Sequence, residues 1–517
     1  MRFVLLFFSL SIPFLFTGHA PGGSNARTSL DSSTAKAIDG YVVDRMRSTR
    51  IPGLALGIVR GDDVPFLKGY GRADPAGRPV TPQTPFVLGS ITKPFTALAV
   101  MQLVDAGTVQ LDAPVQRYIP WFRTADSAAS ARITVRQLLT MRSGLPQLYD
   151  TQLWRDQDDG ALERVVRRLE TVHLARPMGS FGYSNSNYET LGLIVQRVSG
   201  VSYEQYVTEH IFTPLAMRNS FASQNEAMRH GMATGHRWWF GVPIPFTPPY
   251  NRAELPAGYL IASAADMTHF LIAQLNGGRY GGASILSPDA MALMHAPPAS
   301  GTYGFGWEFV RANGRTLINH DGGTVNFQTS LLMDPEGRAG VFVAANVINA
   351  LDTFSSPHGG STLDGLTVRE MARVVLSLAT HQPLPSRGVG HERLTFVFDL
   401  TIAILTVWLA ISLARVPRRY RRIERQGMLA RSELRRRALT IAALNWTLPI
   451  VVLYLTIGPF SAVWKVLVEF QPDGGYWLET VAIVLFVKGL VELSVLRSLA
   501  QAEGEGGQGH GHHAGIR

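Results

Sequence analysis

The 517-residue chain contains no cysteine. That excludes thiol nucleophiles, cysteine-ligated metals, disulfides and lipidation of an N-terminal cysteine. Lysine is almost as scarce, with only Lys36, Lys68, Lys93, Lys465 and Lys488 among 48 basic residues. G-x-S-x-G, H-E-x-x-H and G-x-x-x-x-G-K are all missing, so the signatures of α/β hydrolases, zinc proteases and P-loop enzymes are not present. Basic charge is also not spread over the chain. The net charge is +9, but ten arginines lie between Arg415 and Arg437 against only Glu424 and Glu433, leaving 38 basic and 37 acidic residues elsewhere. A surface that binds duplex nucleic acid distributes its cations over a folded face, so no nucleic-acid partner is expected. Arginines filling a short gap between two apolar runs match a cytoplasmic loop between membrane spans.

Residues 1–26 read as a signal peptide or signal anchor. Arg2 precedes the charge-free run Phe3–Phe16, and small residues follow at Gly18, Ala20 and Ala26. Residues 33–380 read as one extracytoplasmic body. Strand-like runs such as Gly53–Arg60 and Pro65–Tyr70 come first, and helical patterns such as Phe95–Gly107 and Arg136–Met141 follow. A late strand-rich part contains Thr316–Asn319, Thr329–Met333 and Ala339–Ala345. Strands at both ends with helices between them predict an α+β domain whose sheet is completed by distant segments.

After a linker at 381–393 the chain changes character. Leu394–Ala414 holds 21 residues with the single charge Asp399, and the segment from Ala438, uncharged through Trp464, predicts a second span at 438–460. The arginine loop, 415–437, separates them. A third candidate, 477–496, is interrupted by Glu479, Lys488 and Glu492; a span with Lys488 and Glu492 paired inside a bundle and an amphipathic surface helix both fit. Two or three spans thus form an all-α membrane region, with the lipid bilayer as a partner. Residues 497–517 read as a disordered Gly/His tail, whose His510, His512 and His513 fit weak metal holding less well than plain solvation.

Ser90-Ile91-Thr92-Lys93 follows the strand-like Phe86–Leu88 and opens an apolar helix, Phe95–Val104. Residues i and i+3 share a helix face, so the Ser90 hydroxyl and Lys93 amine can meet. A helix apolar all round sits at a domain centre, where a lysine is partly desolvated and its pKa falls. Such an amine can act as base or relay toward serine, and a helix N-terminus offers N–H groups to an oxyanion. A helix-capping serine beside a solvated lysine fits the same four residues. Two further patterns accompany them: Tyr183-Ser184-Asn185, and Asn319-His320-Asp321-Gly322-Gly323 before a strand-like run. Alone, the first fits a turn with a capping Asn and the second a hairpin.

Together and in this order, the three patterns resemble the serine β-lactamase and penicillin-binding protein superfamily, and most the class C β-lactamase-related serine hydrolases. The likeness runs from about Pro52 to Asn346. It includes Ile133-Thr134 with Leu138-Leu139 and Ser143-Gly144-Leu145-Pro146, then Pro214-Leu215-Ala216-Met217 and Pro256-Ala257-Gly258. It implies an α+β fold of the β-lactamase/transpeptidase type, an antiparallel sheet flanked by helices with a helical subdomain. It also implies Ser90 as the acylated nucleophile, with Lys93 and Tyr183 as its activators in an order left open. Asn185 would orient Lys93 and bind a substrate carbonyl. His320 would flank the site on its strand, or serve only as a structural hydrogen-bonder. Gly322 and Gly323 would line the substrate site, and the N–H groups of Ser90 and Gly323 would form the oxyanion hole. No metal or organic cofactor is needed.

Where relatives carry a lysine as a fixed cation, this chain has His320, charged only in part near neutral pH. The resemblance therefore implies a peptidase or esterase acting on amides or esters, plausibly cell-envelope peptide, with weak or no β-lactamase activity. A slow penicillin-binding or sensory module signalling through the C-terminal helices is the alternative; a transporter is disfavoured because so few spans make no pathway. The residues leave protein partners undetermined. The segment Trp238–Phe246, rich in aromatics and proline, fits a rim for an apolar acyl group or a bilayer contact, and equally a packed insertion.

Overall fold

The computed structural model describes residues 29–148, 156–349, 367–385, 391–425, 431–458, 464–465, 468 and 471–506. The expected export signal at 1–26 lies outside the described residues, as does the tail from 507 onward.

The chain opens with helix α1, Ser32–Ser48, whose Asp31 accepts from the Thr34 N–H and so satisfies a free donor of the first turn. Strands β1, Gly53–Arg60, and β2, Asp63–Gly71, form a hairpin. Helices α2, Thr92–Asp105, α3, Asn185–Ser199, and α4, Ala264–Leu275, follow. The late strands are β3, Tyr303–Gly304, β4, Trp307–Ala312, β5, Arg315–Gly323, β6, Gln328–Asp334, and β7, Ala339–Ala345. Helix α5, Thr367–Thr380, completes this part. The seven strands form one antiparallel sheet in the order β2-β1-β7-β6-β5-β4-β3. Its first hairpin is joined to the late strands by the pairing of β1 with β7, Leu54 opposite Ala345 and Ile58 opposite Val341, so the sheet needs both ends of the domain. This is the α+β architecture expected from strands at both ends with helices between.

Two-residue periodicity sorts the side chains onto two cores. Leu54, Leu56 and Ile58 of β1, with Val341, Val343 and Ala345 of β7, face α1 and α5. Ala55 and Val59, with Phe342 and Ala344, face the opposite layer, where α2, α3 and α4 pack. Helix α2 lies in the middle of that layer: every residue from Thr92 to Met101 is buried, Lys93 included.

Three long helices follow: α6, His391–Arg425, α7, Arg431–Ile457, and α8, Pro472–Gly506. Among the described residues two stretches are long and apolar enough to cross a membrane: Phe396–Arg418, 23 residues, and Arg436–Ile457, 22 residues. The arginine segment expected as a loop at 415–437 is mostly helix, running to Arg425 in α6 and resuming at Arg431 in α7. Arginine is a strong helix former and the first glycine after Ala414 is Gly427, so the helix continues to Arg425 even with Pro417 inside it. Helix α8 likewise begins before the expected third span and continues past its end, through ten residues assigned to the tail.

Helix α8 is apolar on its outside and places two charges among the apolar Ala482, Leu485 and Leu496 on its inside. Ile483, Phe486, Val487, Leu490 and Val491 are exposed, while Lys488 and Glu492 turn toward α7. There Lys488 Nζ donates to Asn445 Oδ1 at 2.8 Å, Asn445 Nδ2 donates to Glu492 Oε2 at 3.1 Å, and Lys488 lies 3.5 Å from Glu492. Each charge thus has an acceptor or donor away from the apolar outer face. Gly489 makes room for the contact, since a Cβ there would stand 2.4 Å from the Trp446 indole nitrogen. Glu492→Ala removes an acceptor from both Asn445 and Lys488. It is expected to cost about 1–2 kcal/mol of α7–α8 packing, measured as a lower melting temperature in detergent with Ser90 reactivity intact.

Candidate active site

The turn carrying Ser90 is wedged between α2 and the edge of β5. Leu88 donates its N–H to the Leu260 carbonyl at 2.8 Å, and Thr329 Oγ1 donates to the Leu88 carbonyl at 2.6 Å. Leu260 N–H donates to Thr92 Oγ1 at 3.1 Å, fixing the far side of the turn. Glycine makes the approach possible. Gly89 has φ +56°, and a Cβ on it would lie 2.6 Å from the Gly323 nitrogen. A Cβ on Gly322 would lie 2.0 Å from the Leu88 carbonyl oxygen. The Ser90 turn and the Gly322–Gly323 backbone are therefore in direct contact, which brings together the two segments expected to supply the oxyanion N–H groups.

Ser90 itself is half-buried in a single 3₁₀ turn, Gly89–Ile91, that runs into α2. Lys93 follows in the first turn of α2 together with Pro94, where a missing N–H costs least. Its Nζ lies 2.9 Å from Ser90 Oγ and donates to the Ala257 carbonyl at 2.7 Å. Tyr183 OH is also 2.9 Å from Ser90 Oγ, reaching it from a segment 93 positions away. Lys93 Nζ stands 4.9 Å from the Tyr183 ring centre, so amine, phenol and hydroxyl form one cluster.

Tyr183 is held by the loop at Ser143–Pro146. Ser184 caps α3 and donates its hydroxyl to the Pro146 carbonyl at 2.7 Å, while Ser143 Oγ donates to Asn187 Oδ1 at 2.5 Å. The Ser-Gly-Leu-Pro segment is thus a bracket for the tyrosine.

Burial drives the Lys93 amine down to about 7, opposed by the nearby Glu254 and Glu189 carboxylates. Glu189 is buried on α3, and burial first, then the neighbouring Glu254, lifts its carboxyl well above the usual range while Lys93 pulls it back. A lysine near 7 is a free amine in about half of the molecules at neutral pH, and that form can accept a proton.

Asn185 and His320 depart from expectation. Asn185 does not orient Lys93: its backbone N–H donates to Gln147 Oε1 at 2.6 Å, and its own Oδ1 has no hydrogen-bond partner among the described residues. The Ala257 carbonyl takes the amine instead. The Asn185 side chain stands at the helix start with an acceptor uncommitted.

His320, expected to be partly charged, is neutral. It is 1% exposed, and burial, then the charges of Lys93 and Arg369, push it down to about 3 against the opposing bond to the Asp321 carbonyl. That carbonyl, 2.8 Å from Nδ1, can only accept, so Nδ1 carries the proton. Nε2 is then the acceptor, with Tyr303 OH 3.4 Å away. Behind it Arg369 pairs with Asp321 at 3.0 Å and with Glu308 at 3.2 Å, which engages that cation.

Four groups at the site were not assigned a role from the sequence. The Ala257 carbonyl is backbone, and Glu254 and Tyr303 arrive from distant segments. Glu189 alone was readable, since it lies four residues after Asn185 on a helix and so shares its face. Among the described residues no group of three or more metal-ligating side chains occurs.

Residues 38–351 match the family described as Beta-lactamase. The chain is 30% identical to Protein flp of Staphylococcus aureus (strain MW2) over 322 residues, 62% of this chain and 64% of that protein. It therefore spans less than two thirds of the length of that relative. It is also 30% identical over 286 residues to Penicillin-binding protein 4 of Amycolatopsis lactamdurans, covering 53% of this chain and 74% of that one. Among solved structures, the octameric penicillin-binding protein homologue from Pyrococcus abyssi superposes with a TM-score of 0.57 at 27% identity, over 68% of this chain and 79% of that one. The D-alanine carboxypeptidase AmpC from Burkholderia cenocepacia, at 22% identity and a TM-score of 0.53 over 61% of this chain and 94% of its own, shares the fold.

The backbone contact beneath Ser90 is open to a direct test. Gly89→Ala puts a methyl into the Gly323 nitrogen and asks alanine to hold a positive φ. It is expected to cost about 1–3 kcal/mol of stability and to slow acylation of Ser90 more than binding. Thermal melting and the rate of covalent probe incorporation measure the two effects.

Proposed function

Because the chain belongs to the beta-lactamase family, we propose that it is a membrane-tethered serine hydrolase with its site outside the cytoplasm, attacking an amide or ester through an acyl-enzyme on Ser90. The observation that carries this reading is the convergence of Lys93 Nζ and Tyr183 OH on Ser90 Oγ, each at 2.9 Å, with the amine lowered to about 7. In the free-amine form Lys93 accepts the Ser90 proton while still donating to the Ala257 carbonyl. Ser90 Oγ then bonds the substrate carbonyl carbon, and the oxygen gathers charge near the N–H groups of Ser90 and Gly323. Tyr183, donating to Oγ at the outset, is placed to pass a proton to the leaving amine or alcohol as the carbonyl re-forms. Water then gives a proton to the Tyr183 phenolate as its oxygen bonds the acyl carbon, the Lys93 ammonium returns a proton to Ser90 Oγ as the acyl bond breaks, and the site is restored. The uncommitted Asn185 Oδ1 at the helix start suits an N–H of the substrate.

The membrane tether is supported by Phe396–Arg418 and Arg436–Ile457, and by the apolar outer face of α8 with its two charges turned inward. Ten arginines at the far ends of α6 and α7 favour that end inside the cell, leaving the catalytic body outside. A cell-envelope peptide or ester is the substrate class that location offers. Neutral His320 gives no fixed cation for a β-lactam or peptide carboxylate, which favours esterase or peptidase turnover over efficient β-lactamase action.

Two measurements test the proposal. A serine-reactive fluorophosphonate and a fluorescent penicillin are applied to membranes bearing the wild type or Ser90→Ala. Fluorophosphonate labelling is expected in the wild type and background signal in the variant; labelling that persists in Ser90→Ala rejects the nucleophile. A silent wild type would favour a non-acylating binding module, and D-amino-acid amides, peptides and short-chain esters then sort the substrate. The second measurement is kcat/KM against pH. Deprotonated Lys93 is the active form, so the rate is expected to rise about tenfold per pH unit below about 7 and to level off above it. His320, already neutral above about 3, adds no limb between pH 5 and 8, and a profile flat across that range excludes Lys93 as base.

A further inference from the structure

The hairpin His236–Trp239 and Val242–Pro245 is not used by the chemistry above, yet it exposes more apolar surface than a free turn in water should. Its two strands pair Trp239 with Val242 across the turn Phe240-Gly241, where both residues have positive φ, 46° and 75°. Trp238 points inward and is buried in the core under α1 and α5. Trp239, Phe240, Val242 and Ile244 point outward, 42%, 42%, 50% and 44% exposed. An apolar patch of this kind on a monomer marks a contact surface.

The position of the patch identifies what it meets. The Phe240 N–H donates to Asp473 Oδ2 at 2.9 Å, at the start of α8, and the Trp239 ring lies 6.1 Å from that of Tyr476. A Cβ on Gly241 would lie 3.0 Å from Asp399 Oδ2, three residues inside the apolar stretch Phe396–Arg418. The turn therefore stands beside the entry ends of α6 and α8. The arginines of α6 lie 16–26 residues beyond Asp399, about 24–39 Å away at the rise of an α-helix. Exposed Phe396, Val397 and Leu400 on α6 continue the same apolar surface. Arg50 donates to the Gly241 carbonyl, adding a cation at the rim. Tryptophan, phenylalanine and branched aliphatics, with arginine at the edge, form the composition that partitions to the membrane–water boundary.

We propose that this hairpin is a lipid-contacting element, seated in the outer leaflet of the same bilayer that α6–α8 cross. The inference rests on the membrane-tether reading, and the experiment below separates the two. The absence of cysteine makes single-site labelling clean. The full chain is reconstituted into vesicles of phosphatidylethanolamine and phosphatidylglycerol, with a nitroxide on Val242→Cys, Ile244→Cys, Ile404→Cys or Glu336→Cys. Collision with oxygen, which concentrates in lipid, is compared with collision with a water-soluble nickel chelate. Ile404 is exposed on α6 and reports the span; Glu336 is exposed on the β6–β7 turn and reports water. The expected result is that Val242 and Ile244 share the oxygen-favouring ratio of Ile404. If they follow Glu336 while Ile404 favours oxygen, the hairpin proposal is rejected and the tether stands. If Ile404 also favours the chelate, the tether itself is wrong and the hairpin proposal falls with it. Shielding of Val242 and Ile244 from both reagents would show a protein cover instead of lipid, and equally overturns the proposal. Retained fluorophosphonate labelling confirms that each variant is folded.

Discussion

The structure is organised around keeping one amine dry. Lys93 is fully buried in the first turn of an apolar helix, and its amine is lowered to about 7 by the loss of solvent. An ammonium in that position would need close carboxylates or several acceptors. It has a serine oxygen and one backbone carbonyl at bonding distance, with Glu189 and Glu254 near enough to oppose the shift without cancelling it. The uniform apolarity of α2 follows from this, because a solvent-exposed stripe would wet the amine. So does the glycine contact at Gly89, Gly322 and Gly323, which seals the serine turn against the sheet edge with backbone alone.

What was legible in the sequence follows from range. The order of strands and helices, the Ser90/Lys93 spacing and the apolar helix behind it are local patterns, and local periodicity reports them directly. Tyr183 was legible only as part of a combination of motifs, because a Tyr-x-Asn alone reads as a turn. The acceptor for Lys93 lies in the Pro256-Ala257-Gly258 pattern, but its role was not legible. Asn185 has the chemistry for that role, but its segment is fixed by Gln147 and Pro146, and the Ala257 carbonyl reaches the amine first. Backbone groups have no residue identity, so a motif that contains one does not say what it bonds. His320 shows the same limit for charge. The residue type suggests partial protonation, whereas burial beside Lys93 and Arg369 decides for the neutral ring. The arginine segment differs for a simpler reason: composition located it, but helix propensity, not charge, determines its backbone.

The hairpin and the site share a wall. Asn326, three residues beyond Gly323, donates to the Phe246 carbonyl at 2.9 Å and accepts from the His236 N–H at 3.3 Å. Both ends of the hairpin are thus bonded to the loop that closes the strand beside Ser90. Its inner face adds Trp238 to the second core, and His236 pairs with Val347, which continues from β7. A displacement at the turn would be carried into the sheet edge, since few of these contacts can yield independently.

That connection bears on how the body carrying Ser90 stands relative to α6 and α8. A chain connection such as the one between α5 and α6 limits distance but leaves orientation open. A second contact removes that freedom, and here there is one: Phe240 to Asp473, Gly241 beside Asp399, and Arg50 to Gly241. Each joins the hairpin to a helix entry end or to the body itself. With the hairpin bonded to both the helix bundle and the strand beside Ser90, the height and tilt of the nucleophile relative to α6 and α8 are set by packing. Acyl transfer depends on the reacting carbonyl lying within about 3–3.5 Å of the nucleophile in one orientation. For a substrate that is itself held at the membrane surface, a body of fixed tilt meets that requirement with less loss of rotational freedom than a body free to turn. The hairpin thereby extends to the whole domain the constraint that Gly89 and its partners impose on Ser90.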